Sequence, residues 1–319
     1  MNWKKLGKIF DPAGYRLPNE CKAFSQAPQA LVFDDLIRIY FSTRQADQNG
    51  AYLSHVAYVD FDRNLTTILG ISTKTVLPLG GLGCFDEHGI FPLSVKRFGD
   101  RICGYTTGLN RKESVGIDSA IGYVESDDGG KTFHRTGPGP IMATALHEPF
   151  LVADAFVSLF DDCYHMWYIH GIKWTRSEAD APPDRVYQIA HATSDDGFSW
   201  HREGRKIIAT VLGGDECQAM PTVAFYGGKY HMFFCYRSSS DFRKNKARGY
   251  RLGYAYSTDL VSWTRDDSSS GIDVSEADWD SDMMCYPNLF VCEGKLYLLY
   301  NGNEFGRHGF GAAVLEGIE

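Results

Sequence analysis

Carboxylates recur at one spacing in this chain. Counting back five positions from Pro28, Pro92, Pro149, Pro221 and Pro287 gives Ala23, Glu87, Thr144, Glu216 and Asp282. Glu148 directly precedes Pro149, and Asp86 adjoins Glu87. Gln26, His88, His147, Asp215, Gln218 and Asp280 stand close by in sequence. Carboxylates gathered around one point repel one another and lose solvation, which leaves some protonated and others ionised. Such a mixed set can protonate a leaving oxygen on one side of an acetal and activate water, or attack carbon, on the other. On this reading Glu148 is the acid, and Glu87, Glu216, Asp282 and Asp86 are base or orienting partners. The plainer alternative makes each of them a solvated loop end or a turn cap.

Cations and aromatics complete the candidate site. Arg44 and Arg237 each end an apolar run, in Tyr40-Phe41-Ser42-Thr43-Arg44 and Cys235-Tyr236-Arg237. The segment from Asp241 to Arg251 adds Arg243, Lys244, Lys246, Arg248 and Arg251. Guanidinium groups read planar oxyanions with two parallel hydrogen bonds, so this set suits a phosphate, a sugar carboxylate or a sugar nucleotide. The alternative is a charged hairpin in water. Gln26, Arg44, His88, His147, Gln218, Arg237, Arg243, Lys244 and Tyr300 are the expected substrate contacts. Trp167, Trp174, Tyr236 and Tyr300 are of a type that stacks on sugar faces or fills a core. No metal is expected, because His88, His147, His165, His170 and His231 lack ligand spacing. No cofactor is expected, since no phosphate-binding or dinucleotide glycine motif occurs.

An internal repeat must position these residues. Three segments share an alternating strand ending in a Ser/Asp turn: Ile121 to Gly129, Ile189 to Gly197 and Leu252 to Asp259. An aromatic follows each turn, at Phe133, Trp200 and Trp263. Apolar runs precede them, beginning at Ile37, Ile102, Tyr164, Tyr230 and Leu296. Each run is itself preceded by one of the five prolines, which are tolerated where a strand opens. Four antiparallel strands recurring every roughly 64 residues predict an all-β, five-bladed β-propeller. The expected blades are 21–75, 84–141, 142–208, 214–272 and 280–319, within a single domain. The last lacks its outer strand, and Trp3-Lys4-Lys5-Leu6-Gly7-Lys8-Ile9-Phe10 has the right form to supply it and close the ring. A β-sandwich or a solenoid would not repeat five such marker sets.

Composition narrows the rest. Of 319 residues 44% are hydrophobic and 23% charged, with a net charge of −8, which excludes disorder and disfavours nucleic-acid or membrane binding. No apolar stretch suggests export, and the eight cysteines form no C-x-x-C pair. Reduced thiols in a cytoplasmic protein are the expectation.

The five repeats, the prolines and the Ser-x-Asp-Gly-x-x-Trp-like turns together resemble the five-bladed glycosidase superfamily, which includes glycoside hydrolase families 32, 43, 68, 117 and 130. The resemblance spans the chain but rests on short motifs. Glu148-Pro149 is similar to the acid motif of families 32 and 43, which implies Glu148 as general acid and Asp86 or Glu87 as the second-blade carboxylate. Those families carry an acid beside the first-blade proline, whereas this chain reads Phe24-Ser25-Gln26-Ala27-Pro28, with Asp11 the nearest substitute. Family 130 phosphorylases instead use one acid and a bound phosphate, a role that Arg44, Arg237, Arg243 and Lys244 would suit. The turn at Ser126 to Phe133 also resembles the Asp box of sialidases. The implied activity is cleavage of a glycosidic bond, by hydrolysis or phosphorolysis, with a carbohydrate or glycosyl-phosphate substrate. A non-catalytic sugar-binding propeller is the alternative.

Overall fold

The computed structural model describes residues 1–176 and 182–317. Residues 177–181, assigned above to the third unit, and 318–319, assigned to the fifth, lie outside the described residues. Strand β1 (Asn2–Phe10) comes first, followed by β2 (Gln26–Val32), β3 (Ile37–Ala46), β4 (Tyr52–Phe61) and β5 (Ile68–Ile71). A second group holds β6 (Gly89–Phe98), β7 (Arg101–Asn110), β8 (Asp118–Ser126) and β9 (His134–Arg135). The third holds β10 (Val152–Phe160), β11 (Cys163–Thr175), β12 (Asp184–Ser194) and β13 (His201–Arg202). The fourth holds β14 (Glu216–Tyr226), β15 (Lys229–Ser238), β16 (Arg251–Ser257) and β17 (Thr264–Arg265). The last comprises β18 (Cys285–Cys292), β19 (Lys295–Asn301) and β20 (Phe310–Gly317). Within each group successive strands pair antiparallel, and β1 pairs with β20. A single parallel bridge, Ser54 to Gly89, links the first two groups. No described helix is long and apolar enough to cross a membrane.

The innermost strands contact one another in cyclic order: β2 with β6, β6 with β10, β10 with β14, β14 with β18, and β18 with β2. Second strands are buried on both faces along much of their length, as in Ile37–Thr43 of β3, because a neighbouring sheet covers each side. This accounts for their continuous apolar runs rather than a period of two. The Ser/Asp turns join adjacent units. Ser126 Oγ bonds Asp128 Oδ1 at 2.9 Å, and Asp128 accepts the Lys131 and Thr132 amides. The turn then presents the Gly130 carbonyl to Tyr40 Oη of the preceding unit at 2.6 Å. Gly130 sits at φ +79°, and a Cβ there would collide with that hydroxyl. Tyr105 Oη donates in the same way to the Gly197 carbonyl.

Each innermost strand carries a β-bulge at one level. A residue in the left-handed region marks it in four of the five: Ala27, Asp154, Met220 and Tyr286, at φ +53° to +57°. Pro28, Pro92, Pro221 and Pro287 lie at this bulge, inside the strand rather than opening it. The third unit corrects the sequence register, because its bulge residue is followed by Ala155, and Pro149 precedes β10 altogether.

The carboxylates ahead of these strands answer to one rule. Asp86, Glu148, Glu216 and Asp280 are each at most 1% exposed. Each is paired with a cation from the outermost strand of its own unit: Arg135, Arg202, Arg265 and, through β1, Lys5. Arg202 and Arg265 approach at 2.6 Å, and Lys5 at 2.7 Å. The arginines also donate to incoming-loop carbonyls, at Pro78, Ala143 and Ala209 respectively. Strands β9, β13 and β17 have only two residues each, so the ladder alone holds them weakly and the buried ion pair pins them. The matched register expected for Glu87, Glu216 and Asp282 is therefore corrected to Asp86, Glu148, Glu216 and Asp280.

Removing one partner of such a pair strands an uncompensated buried charge. Arg265→Met should lower unfolding stability by about 3–5 kcal/mol, read from urea denaturation. Replacing Glu216 by Gln in the same chain removes the stranded charge, keeps an acceptor for the Val211 and Leu212 amides, and should recover part of that loss.

Candidate functional site

Between the innermost strands lies a cavity of about 330 Å³ to which all five units contribute, among them Gln26, Phe91, Arg185, Arg237 and Tyr286. A deeper recess of about 80 Å³ shares Phe91, Arg185, Tyr187, Tyr250 and Tyr286 with it and reaches Asp154. Asp154 is there because the third bulge turns it inward. Its amide donates to Thr107 Oγ1 of the second unit at 2.7 Å, and its Oδ2 accepts the Met220 amide of the fourth at 3.2 Å. Ala27 and Tyr286 make the matching contacts at other seams, their amides donating to Asn301 Oδ1 and Cys235 Sγ. Asp154 is thus both a seam acceptor and the one carboxylate lining the central cavity among the described residues. Burial pushes its carboxyl up to about 7, against the opposing pull of the Met220 amide and of Arg185. Both protonation states are then populated near neutrality, as proton transfer in a reaction requires.

Four arginines line the cavity, Arg44, Arg185, Arg237 and Arg243, and of these Arg185 also lines the recess that holds Asp154. Among the described residues none of them has a carboxylate within salt-bridge distance. Arg44 donates from Nε to Gln26 Oε1 at 2.8 Å and lies 5.6 Å from the Phe91 ring centre; burial lowers its pKa. Arg237 is 4% exposed, donates to Tyr187 Oη at 2.9 Å and stacks on Phe242 at 3.5 Å. Tyr187 and Tyr250 hydroxyls bond each other at 2.7 Å, and burial raises the pKa of both, keeping them neutral. Unpaired guanidinium groups beside neutral phenols make a receptor for an anion carried on a polar ligand.

Of the residues expected from sequence, Gln26, Arg44, Arg237 and Arg243 meet in this cavity. The others do not. Glu148 pairs with Arg202, accepts the Tyr168 hydroxyl and lies 4.0 Å from His170 Nδ1. Glu216 accepts the Val211 and Leu212 amides and the Gln218 side chain in addition to Arg265. Asp86 is held by Arg135. Glu87 accepts the Gly83 amide at 2.9 Å, as a turn cap. Asp282 meets Lys246 at 2.6 Å. His88 accepts the Arg111 amide, and His147 and Lys244 are exposed. Tyr300 is fully buried, donates to Asp280 and stacks on Trp279. The expected convergence of carboxylates is corrected, because Asp86, Glu148 and Glu216 are neutralised within their own units, Glu87 caps a turn and Asp282 pairs with Lys246 of the fourth unit. Asp154 escaped the sequence reading, since Ala155 stands where the other units have proline and Pro149 offers a decoy marker.

A larger cavity of about 510 Å³ lies between the second and third units, beside Cys84, Phe85 and Pro140. Its charges, Lys112 and Asp118, pair with each other at 3.3 Å, so it lacks the unbalanced charge of the central cavity. No group of three or more potential metal ligands occurs among the described residues.

Comparison with known proteins places this arrangement in context. No protein-family model matches the chain. The Mycobacterium tuberculosis sequences "Uncharacterized protein MT1551" and "Uncharacterized protein Rv1502" are each 33% identical over 317 residues, covering 99% of this chain and 100% of theirs. Among solved structures, a glycoside hydrolase superposes with a TM-score of 0.72 at 17% identity, covering 98% of this chain and 92% of that one. A thermostable family-43 glycoside hydrolase superposes at 0.62 with 13% identity, covering 93% and 91%. An exo-1,5-α-L-arabinanase from a bovine ruminal metagenomic library gives 0.62 at 13%, covering 93% and 94%. At these identities the likeness is one of fold, and at that level the resemblance to propeller glycosidases stands.

The raised Asp154 carboxyl has a thermodynamic signature. The folded chain binds this proton more tightly than the unfolded chain, so this group's contribution to stability is fully present below about pH 4 and is lost as pH rises through about 7. The loss is roughly 4 kcal/mol for a shift of this size. Asp154→Asn should abolish it, so the difference in urea midpoint between variant and wild type should widen from pH 4.5 to pH 8 in the variant's favour.

Proposed function

The chain belongs to the family of the Mycobacterium tuberculosis proteins MT1551 and Rv1502, and we propose that it is a carbohydrate-active enzyme of five-bladed β-propeller form that cleaves a glycosidic bond in its central cavity. Five strand groups, the cyclic contacts of their innermost strands and the pairing of β1 with β20 support a single propeller domain closed by its N-terminal strand. The fold likeness to glycoside hydrolases supports the reaction class. Eight free thiols fit a reducing compartment such as the cytoplasm.

The observation that carries the proposal is one protonatable carboxylate in a recess that shares its walls with a cavity lined by four arginines, none of which has a carboxylate within salt-bridge distance among the described residues. Protonated Asp154 donates to the leaving oxygen as the bond to the anomeric carbon breaks, and positive charge develops on that carbon. The arginines hold an anionic part of the bound ligands and remain fixed as charge moves. Two-carboxylate hydrolysis needs a second acid about 5–9.5 Å away. Among the described residues none lines this cavity. This favours a nucleophile that arrives as a ligand. With hydrogen phosphate, an oxygen bonds the anomeric carbon, the leaving alcohol takes the Asp154 proton, and the phosphate proton restores Asp154. The products are a glycosyl phosphate and an alcohol.

Turnover of a glycoside library, with and without phosphate, tests this. Asp154→Asn keeps an acceptor for the Met220 amide, so it should fold, and it should lose at least about 100-fold in kcat. Glu87→Gln should retain turnover. Undiminished activity in Asp154→Asn would exclude the assigned role, and ligand binding without turnover by the wild type would leave a sugar-binding propeller.

A further inference from the structure

The central cavity does not end at its arginines. A second cavity of about 440 Å³ opens beside it, and the two share Phe24, Arg44 and Tyr52 as walls. Tyr52 is 54% exposed. Its ring meets Phe24 edge to face, with centroids 5.7 Å apart and planes at 69°, which makes a two-walled aromatic corner. The corner is held by backbone. The Lys22 amide donates to the Arg44 carbonyl at 3.1 Å, and the Phe24 amide to the Arg307 carbonyl at 3.0 Å. The Arg307 guanidinium lies 5.8 Å from the Phe24 ring centre. Glu20, on the same cavity, carries the only carboxylate there among the described residues.

Three chemistries therefore follow in order from the recess outward: a proton-transferring acid, arginines with no carboxylate partner among the described residues, and an aromatic corner with one exposed carboxylate. We propose that the ligand spanning them is a nucleoside diphosphate sugar, a claim that rests on the roles given above to Asp154 and the arginines. The sugar faces Asp154, and the diphosphate meets Arg44, Arg185 and Arg243. The base stacks in the corner of Phe24 and Tyr52, and the ribose hydroxyls donate to Glu20. A neutral oligosaccharide would leave the arginines uncompensated, and a simple glycosyl phosphate would leave the aromatic corner empty. Cleavage breaks the bond between the anomeric carbon and the distal phosphate oxygen. The electron pair stays on that oxygen, which takes the Asp154 proton. A hydrogen phosphate oxygen bonds the anomeric carbon and the phosphate proton restores Asp154, leaving a glycosyl phosphate and a nucleoside diphosphate.

Binding separates this claim from the catalytic one. UDP, ADP and inorganic pyrophosphate are titrated into full-length Asp154→Asn protein by calorimetry. At least one nucleotide should bind tenfold or more tightly than pyrophosphate. Tyr52→Ala should weaken that nucleotide about tenfold, as loss of one stacking ring does, leave pyrophosphate affinity unchanged, and keep the melting temperature of the parent. Arg44→Met should weaken both ligands. Nucleotide binding no tighter than pyrophosphate, equal weakening of both by Tyr52→Ala, or binding of neither would overturn the proposal. Such a result with Asp154-dependent glycoside turnover intact would remove only the nucleotide. Nucleotide binding with activity that survives Asp154→Asn would remove the catalytic reading instead.

Discussion

A buried carboxylate held by a cation from the far edge of its own sheet organises this protein. Asp86–Arg135, Glu148–Arg202, Glu216–Arg265 and Asp280–Lys5 repeat one tie in four of five units. Each spans its sheet from the loop that enters the innermost strand to the strand farthest from the centre. A two-residue outer strand has too few ladder bonds to hold itself, and a carboxylate out of water is costly without its partner. Each defect is relieved by the other. The tie also fixes where the entering loop ends, and so where the bulge that follows points its side chain.

The first unit lacks the tie, and the difference reaches the cavity. Its entering segment is held by the last unit instead. Asn301 accepts the Ala27 amide and donates to the Ser25 carbonyl, and Asn288 accepts the Ala30 amide. Without an acid in Phe24 to Pro28, Arg44 has Gln26 as its one side-chain hydrogen-bond partner among the described residues and keeps its charge for the cavity. Four arginines thus face the centre of a chain whose net charge is −8. An acidic exterior around a cationic centre focuses the field inward and rejects anions that cannot enter.

The architecture was legible because its marks are local: Ser/Asp turns, the aromatics after them, and apolar runs at even intervals. Gln26, Arg44 and Arg237 could be placed because each sits at or near the end of a strand, and Arg243 because it belongs to the cation-rich loop from Asp241 to Arg251. The acids could not be judged alone, because their meaning lies in partners on a strand some fifty residues downstream, as |i−j| = 49 for both Asp86–Arg135 and Glu216–Arg265 shows. A trace of those partners does exist in Phe133-His134-Arg135, Trp200-His201-Arg202, Trp263-Thr264-Arg265 and Trp3-Lys4-Lys5, an aromatic with a cation two places on. Asp154 was hidden differently. The left-handed bulge that aims it inward is marked by a following proline in three other strands, at Pro28, Pro221 and Pro287, and is followed by Ala155 here, so the backbone reveals it where the sequence does not.

The tie between Lys5 and Asp280 joins residues 275 positions apart. During synthesis β1 is made first, yet its ladder partner β20 and its counter-ion appear last. The other sheets can assemble as they emerge, while β1 waits as an unpaired edge bearing Trp3 and two adjacent lysines. The fifth sheet joins β1 to β18, β19 and β20, so its contacts are the most distant in sequence and carry a high loop-closure cost. A β1 from a second molecule meets the same acceptor edge with the same chemistry. Exchange of that strand between two chains would satisfy the same ladder and the same ion pair.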